Sequence, residues 1–218
     1  MFPALTDFVA LAGIALVACA ACLHLPGLSS GSDRRANAKG RLLAAICLVV
    51  MWIPVGAPQL PGAAYIRGVT SDFSVSLVVL AALGLSTRLF GLKLFEKRER
   101  EAVFYAVAAA AVFVYPTALG WGDWDAYRLG WGSGEMWIGL LCVCVVCWAA
   151  GLRLVPLLIG LAMTSWTAQL MESTNLWDYL FDPWLAVAAI FRTLVTGATQ
   201  LRHFLRRKTV RGTVGSDA

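Results

Sequence analysis

Seven stretches of the chain are apolar almost without interruption, at about 4–25, 41–59, 73–94, 101–119, 135–151, 154–171 and 183–202. Short polar or Gly- and Pro-containing segments separate them. Runs such as "AVFYAVAAAAVFVY" and "WIGLLCVCVVCWAAG" show no two-residue alternation, so the strands of a membrane barrel do not fit them. Their lengths approach the roughly 20 residues that a helix needs to cross a hydrocarbon core. The pattern predicts an all-α fold, a polytopic transmembrane helix bundle of seven spans. It forms one helical domain over residues 1–202, followed by a basic, partly disordered cytoplasmic tail at 203–218. The turn "GLRL" around Arg153 leaves an alternative in which spans five and six form a re-entrant pair and the count falls to five.

Composition agrees with that class. Of 218 residues 59% are hydrophobic and 14% charged, and the mean hydropathy is +0.72. A water-soluble domain of this length needs more charged surface than these residues can build. The opening "MFPALTDFVALAGIALVACAACLHL" lacks a basic start and a clean cleavage site, so it reads as a retained first span.

Charge sets the orientation. Basic residues collect in alternate connections: around Arg34 to Arg41, around Lys93 to Arg100, at Arg153 and in the tail from Arg202. The other set of connections holds only Arg67 and Arg128. By the positive-inside rule the N-terminus lies outside and the C-terminus inside. The basic tail reads as an anchor on an anionic leaflet rather than a nucleic-acid binder. A bacterial inner membrane is the expected location.

The outward connections carry the candidate chemistry. "WDAY" at Trp124–Tyr127, preceded by Asp123, is echoed by "NLWDY" at Asn175–Tyr179, preceded by Glu172. Six of the nine tryptophans gather on this side, an asymmetry that an aromatic belt at both interfaces does not predict. Flat rings stack on sugars while carboxylates accept hydrogen bonds from hydroxyls, and the two together also cage cations. The rival reading is a loop that folds on itself, with Asp182 capping the last helix and Pro183 in its first turn. Within the spans, Arg192 lies about nine residues into the seventh, where a charge is costly and usually faces a cavity or the bundle interior. Span six adds Thr164, Ser165, Thr167 and Gln169, and an antiparallel pairing of spans six and seven would bring Gln169 and Arg192 to similar depth. The expected binding surface is therefore Arg192, Gln169, Glu172, Asn175, Trp177, Asp178 and Tyr179, with Asp123, Trp124, Asp125 and Tyr127.

Other chemistries find weaker support. The lysines lie at loops or ends, which removes the Schiff base of a retinal protein. His24 and His203 sit at span ends and are a poor basis for a haem. Cys19 and Cys22, and Cys142, Cys144 and Cys147, lie in apolar runs without polar partners, so packing explains them better than metal binding or disulfides. Walker A and H-E-x-x-H motifs are absent from the sequence. No cofactor and no metal is expected. The function expected first is non-enzymatic binding of an anionic lipid, a lipid-linked glycan or an envelope protein partner at the outer, periplasmic face. A small transporter with a mid-membrane Arg192 site comes second, and a membrane enzyme acting on a lipid-linked substrate third.

Overall fold

In the computed structural model, which describes residues 5–23, 34–57 and 59–214, each of the seven apolar runs forms a helix. They are α1 (Leu5–Leu23), α2 (Arg34–Trp52), α4 (Val75–Phe90), α5 (Lys97–Ala118), α6 (Gly134–Ala149), α7 (Leu154–Thr167) and α9 (Pro183–Val214). Shorter elements fill the connections: α3 (Gly62–Thr70), a 3-10 turn at Ala126–Trp131 and α8 (Leu176–Leu180). The first connection also holds a two-residue antiparallel ribbon, β1 (Pro54–Val55) against β2 (Leu60–Pro61). The fold is all-α apart from that ribbon. His24, the side chains of Arg34 and Arg35 and those of the tail beyond Arg202 lie outside the described residues.

Span length is where expectation and structure part. Among the described residues, α1 and α5 are long and apolar enough to cross a membrane, while α4, α6 and α7 are apolar but shorter. With 16 and 14 residues, α6 and α7 are about 24 and 21 Å long. Local stop signals cut them short. Gly151 follows α6 in the left-handed region, and Leu152 N–H returns to Cys147 O at 2.8 Å. At the end of α7 Gln169 takes the same conformation (φ 51°), and Leu170 N–H returns to Ser165 O at 3.1 Å. Helix α9 continues as helix through the tail to Val214.

Helix α4 sits at the junction of two packed groups. On one side it meets α1 and α2, where Gly13 lets Val78 approach to the closest distance a Cβ would tolerate, 3.0 Å. On the other it meets α7 and α8. The main core lies on that side, around Val114, Leu154, Leu158, Leu176, Tyr179 and Leu185. The most extensive helix pair is α5 with α9. It is antiparallel: Tyr115 meets Phe181 near one end, and Phe104 meets Arg192 further along.

Two buried carboxylates hold opposite ends of this bundle. Asp182 Oδ1 accepts from Leu185 N–H (2.8 Å) at the start of α9, and its Oδ2 accepts from Ser74 N–H (2.9 Å) and Ser74 Oγ–H (2.6 Å). Ser74 in turn caps α4, accepting from Leu77 N–H at 3.2 Å. At the other end Glu99 Oε2 accepts from Glu96 N–H (2.9 Å) at the start of α5, and its Oε1 from Arg153 N–H (3.1 Å) at the start of α7. Each carboxylate thus satisfies orphan donors of two helices at once. The expected cap of the last helix by Asp182 is present, with a second helix attached to it.

Candidate functional site

The connection between α5 and α6 and that between α7 and α9 fold by the same local device. Asp125 accepts from Tyr127 N–H at 2.9 Å and opens the 3-10 turn. Asn175 accepts from Trp177 N–H at 2.9 Å and opens α8. Short polar side chains that bond the backbone two residues on favour such turn starts.

The two turns then dock on each other to form a cap over one end of the bundle. Asn175 Nδ2 donates to Tyr127 O (2.9 Å), and Trp177 Nε1 donates to Ala126 O (3.0 Å). Tyr127 Oη donates to Asp178, lying 2.8 and 2.9 Å from its two oxygens. Ser173 Oγ donates to the same carboxylate. Burial, then the bond to Asp178, pushes the Tyr127 phenol well above the ordinary tyrosine range. Tyr179, fully buried beneath, accepts from Met171 N–H at 3.2 Å and donates to Ser173 O at 3.0 Å. Burial also raises its phenol.

The structure therefore brings six of the expected site residues together: Asp125, Tyr127, Asn175, Trp177, Asp178 and Tyr179. It does so as partners of one another and of the backbone. Asp123 and Trp124 stay at the exposed edge, where Trp124 leans on Phe113 at 5.5 Å between ring centroids. Gln169 belongs to the turn that ends α7. Arg192 is not paired with Gln169. Its guanidinium lies over the Phe104 ring, 4.6 Å from the centroid, because the helix packed along α9 is α5 rather than α7.

Glu172 joins a cluster centred on Arg67, to which the sequence pointed only as an isolated outward cation. Arg67 Nη2 donates to Glu172 (2.8 Å), Nε to Asp72 (2.6 Å) and Nη1 to Asp7 (2.7 Å). One guanidinium thus binds three carboxylates from α1, the segment before α4 and the segment after α7. The Asp72 bond, ahead of the other two carboxylates, holds the guanidinium firmly protonated. A longer contact from Nη2 to the second Asp72 oxygen (3.4 Å) brings four of the five donors of the Arg fork into use.

Beneath the cap, between α5, α6 and α7, lies a cleft of about 460 Å³. It runs from Glu135, Leu129 and Trp177 at the cap to Val103 and Val155 toward the other end. Apart from Ser76 its wall is otherwise apolar, and small residues of α5 (Ala106, Ala109, Ala110) with Gly139 of α6 make the room. Its volume falls in the range of small-molecule pockets. Neither the cleft nor its small-residue wall was singled out by the apolar pattern, which does not say which faces stay apart.

Among the described residues no group of three His, Cys, Asp or Glu side chains is placed to hold a metal. Cys22 and Cys47 bring their sulfurs to 3.9 Å between α1 and α2, and Cys142 is exposed on α6. Comparison with known proteins gave no match to a protein family, a curated protein or a solved structure.

Proposed function

We propose that this chain is a seven-helix, multi-pass membrane protein that binds a lipid-linked glycan from the outer face, with the lipid chain in the α5–α6–α7 cleft and the head group at the cap. In this reading the cap end is periplasmic, the N-terminus lies outside and the C-terminus inside.

The observation that carries the reading is the cleft: an apolar slot of about 460 Å³ ending at the Glu135–Trp177 rim. A slot with that lining suits an alkyl or isoprenyl chain. Glu135 at its end, and the exposed Trp124 ring against the lining Phe113, suit hydroxyls and sugar faces better than an anionic head group. The membrane setting is supported by the outer surface of the helices. Ile138 (66% exposed), Val187 (67%), Phe191 (69%) and Trp148 (68%) face outward. Each such side chain left in water forgoes roughly 1.5–3 kcal/mol, which lipid would recover. Helices α1 and α5 are only 33% and 28% buried inside the protein over their apolar windows, unlike core helices of a soluble domain. Asp125 and Asp178, the carboxylates inside the cap, are taken up by internal hydrogen bonds, which favours binding over catalysis.

The test is mass spectrometry of lipids that co-purify with the full chain in mild detergent, for wild type and Gly139→Leu. The leucine enters open space beside the helix, so folding survives while the slot fills. A recurrent glycan-bearing lipid in the wild type, lost in Gly139→Leu at unchanged melting temperature, is the expected result. Only bulk phospholipid in both samples, or the same glycolipid in both, refutes the proposal.

A further inference from the structure

A second groove, of about 560 Å³, lies between α5 and α9 away from the cap, lined by Lys97, Glu101, Phe104, Ala188, Arg192 and Thr196 among others. The antiparallel pairing orders it. Phe104 and Arg192 share one level, Glu101 and Thr196 lie about one turn further from the cap, and Lys97 another turn beyond. Lys97 Nζ stands 3.6 Å from Glu101 Oε1, so the groove's one carboxylate already has a cation. Arg192 has only the Phe104 ring, and among the described residues no carboxylate reaches it as an ion pair. Two cations against one anion leave the groove positive. The flanks are apolar and open: Phe191, Leu194 and Val195 are exposed.

We infer that this groove is a binding site for the head group of an anionic phospholipid in the inner leaflet, distinct from the cleft under the cap. The inference uses the membrane orientation proposed above but not the glycolipid. Arg192 supplies the planar fork that a phosphate accepts bidentately, and Lys97 adds a point charge closer to the headgroup layer. The cytoplasmic leaflet is where anionic lipids concentrate. A guanidinium about two turns inside the start of α5 needs such a partner, and the ring face alone replaces little of its lost hydration. Phe191, Leu194 and Val195 would then lie along the acyl chains.

The experiment titrates delipidated full chain in neutral detergent with phosphatidylglycerol or phosphatidylcholine, reading bound lipid by native mass spectrometry. Wild type is expected to bind phosphatidylglycerol in preference. Arg192→Gln should weaken that binding about tenfold, and Lys97→Gln should weaken it less. Gly139→Leu should leave it unchanged, so that failure of the cleft proposal and failure of this one are told apart. The basic tail is untouched in all three variants. Undiminished phosphatidylglycerol binding in Arg192→Gln, which would place the lipid on the tail, overturns the inference, as does equal binding of the two lipids. Should Arg192→Gln fail to fold, Arg192→Lys and Lys97→Gln decide: wild-type binding in both refutes the site.

Discussion

Gly130 shows how little room the cap leaves. A methyl group there would stand 1.7 Å from Asn175 Oδ1 and 2.8 Å from Trp177 Cδ1. The glycine is required by close approach: Asn175 must reach past it to Tyr127 O, and Trp177 to Ala126 O. Gly130→Ala is therefore expected to part the two turns and lower stability by about 2 kcal/mol, seen as a reduced melting temperature in detergent. An unchanged melting temperature would mean that the turns do not dock as described. The same contacts explain why the "WDAY" and "NLWDY" stretches were legible as special but not as a pair. Composition marks carboxylates and rings that stand out from an apolar background. It says nothing about partners some fifty residues away, and here Asp178 and Tyr127 are each other's answer. Gln169 was legible as polar near a span end. Its left-handed turn was not, since that conformation ordinarily selects glycine or asparagine.

At the scale of elements, the apolar runs announced the helices because lengths near 20 residues leave few other structures. The cap "DPW" was readable for a local reason, Asp before Pro at a helix start. What stayed hidden was anything set by packing between elements. Helix α3 lies in a segment whose Pro and Gly content reads as loop, yet Ala63 buries against Leu11 and Ile14 and fixes it there. The pairing of α9 with α5 rather than α7 moved Arg192 away from Gln169, because α8 and its connection let α9 cross to another neighbour. Asp182 tests how far such links matter. Asp182→Ala removes acceptors from Leu185 N–H, Ser74 N–H and Ser74 Oγ–H, all buried. Loss of an ordinary cap costs about 1 kcal/mol, and stranded buried donors add to it. The expected total is about 3 kcal/mol by denaturant unfolding. Asp182→Asn, which keeps one acceptor oxygen, should lose less. Equal losses in the two variants would assign the effect to packing rather than to shared capping.

For the whole molecule, the Arg67 cluster joins distant parts of the chain, and among the described residues it is the set of ion pairs that does so. Asp7 opens α1, Asp72 precedes α4, and Glu172 precedes α8, so one side chain ties the α1–α4 group to the cap. The guanidinium and Asp72 are largely shielded, at 18% and 10% side-chain exposure, whereas Glu172 is 71% exposed. Removing the cation leaves Asp7 and Asp72 facing each other with their charges unbalanced. Breaking a buried pair costs about 3–5 kcal/mol, and the exposure of Glu172 and Asp7 brings the expectation for Arg67→Met to about 2 kcal/mol. The loss should come from repulsion as much as from missing bonds, which sets it apart from simple truncation. Adding Asp72→Asn to Arg67→Met should therefore restore part of the melting temperature, although Asp72→Asn alone lowers it. Such a double-mutant cycle reports the coupling directly. Additive losses would mean that Arg67 and Asp72 act separately, and Glu172 would then be the carboxylate through which Arg67 holds the cap.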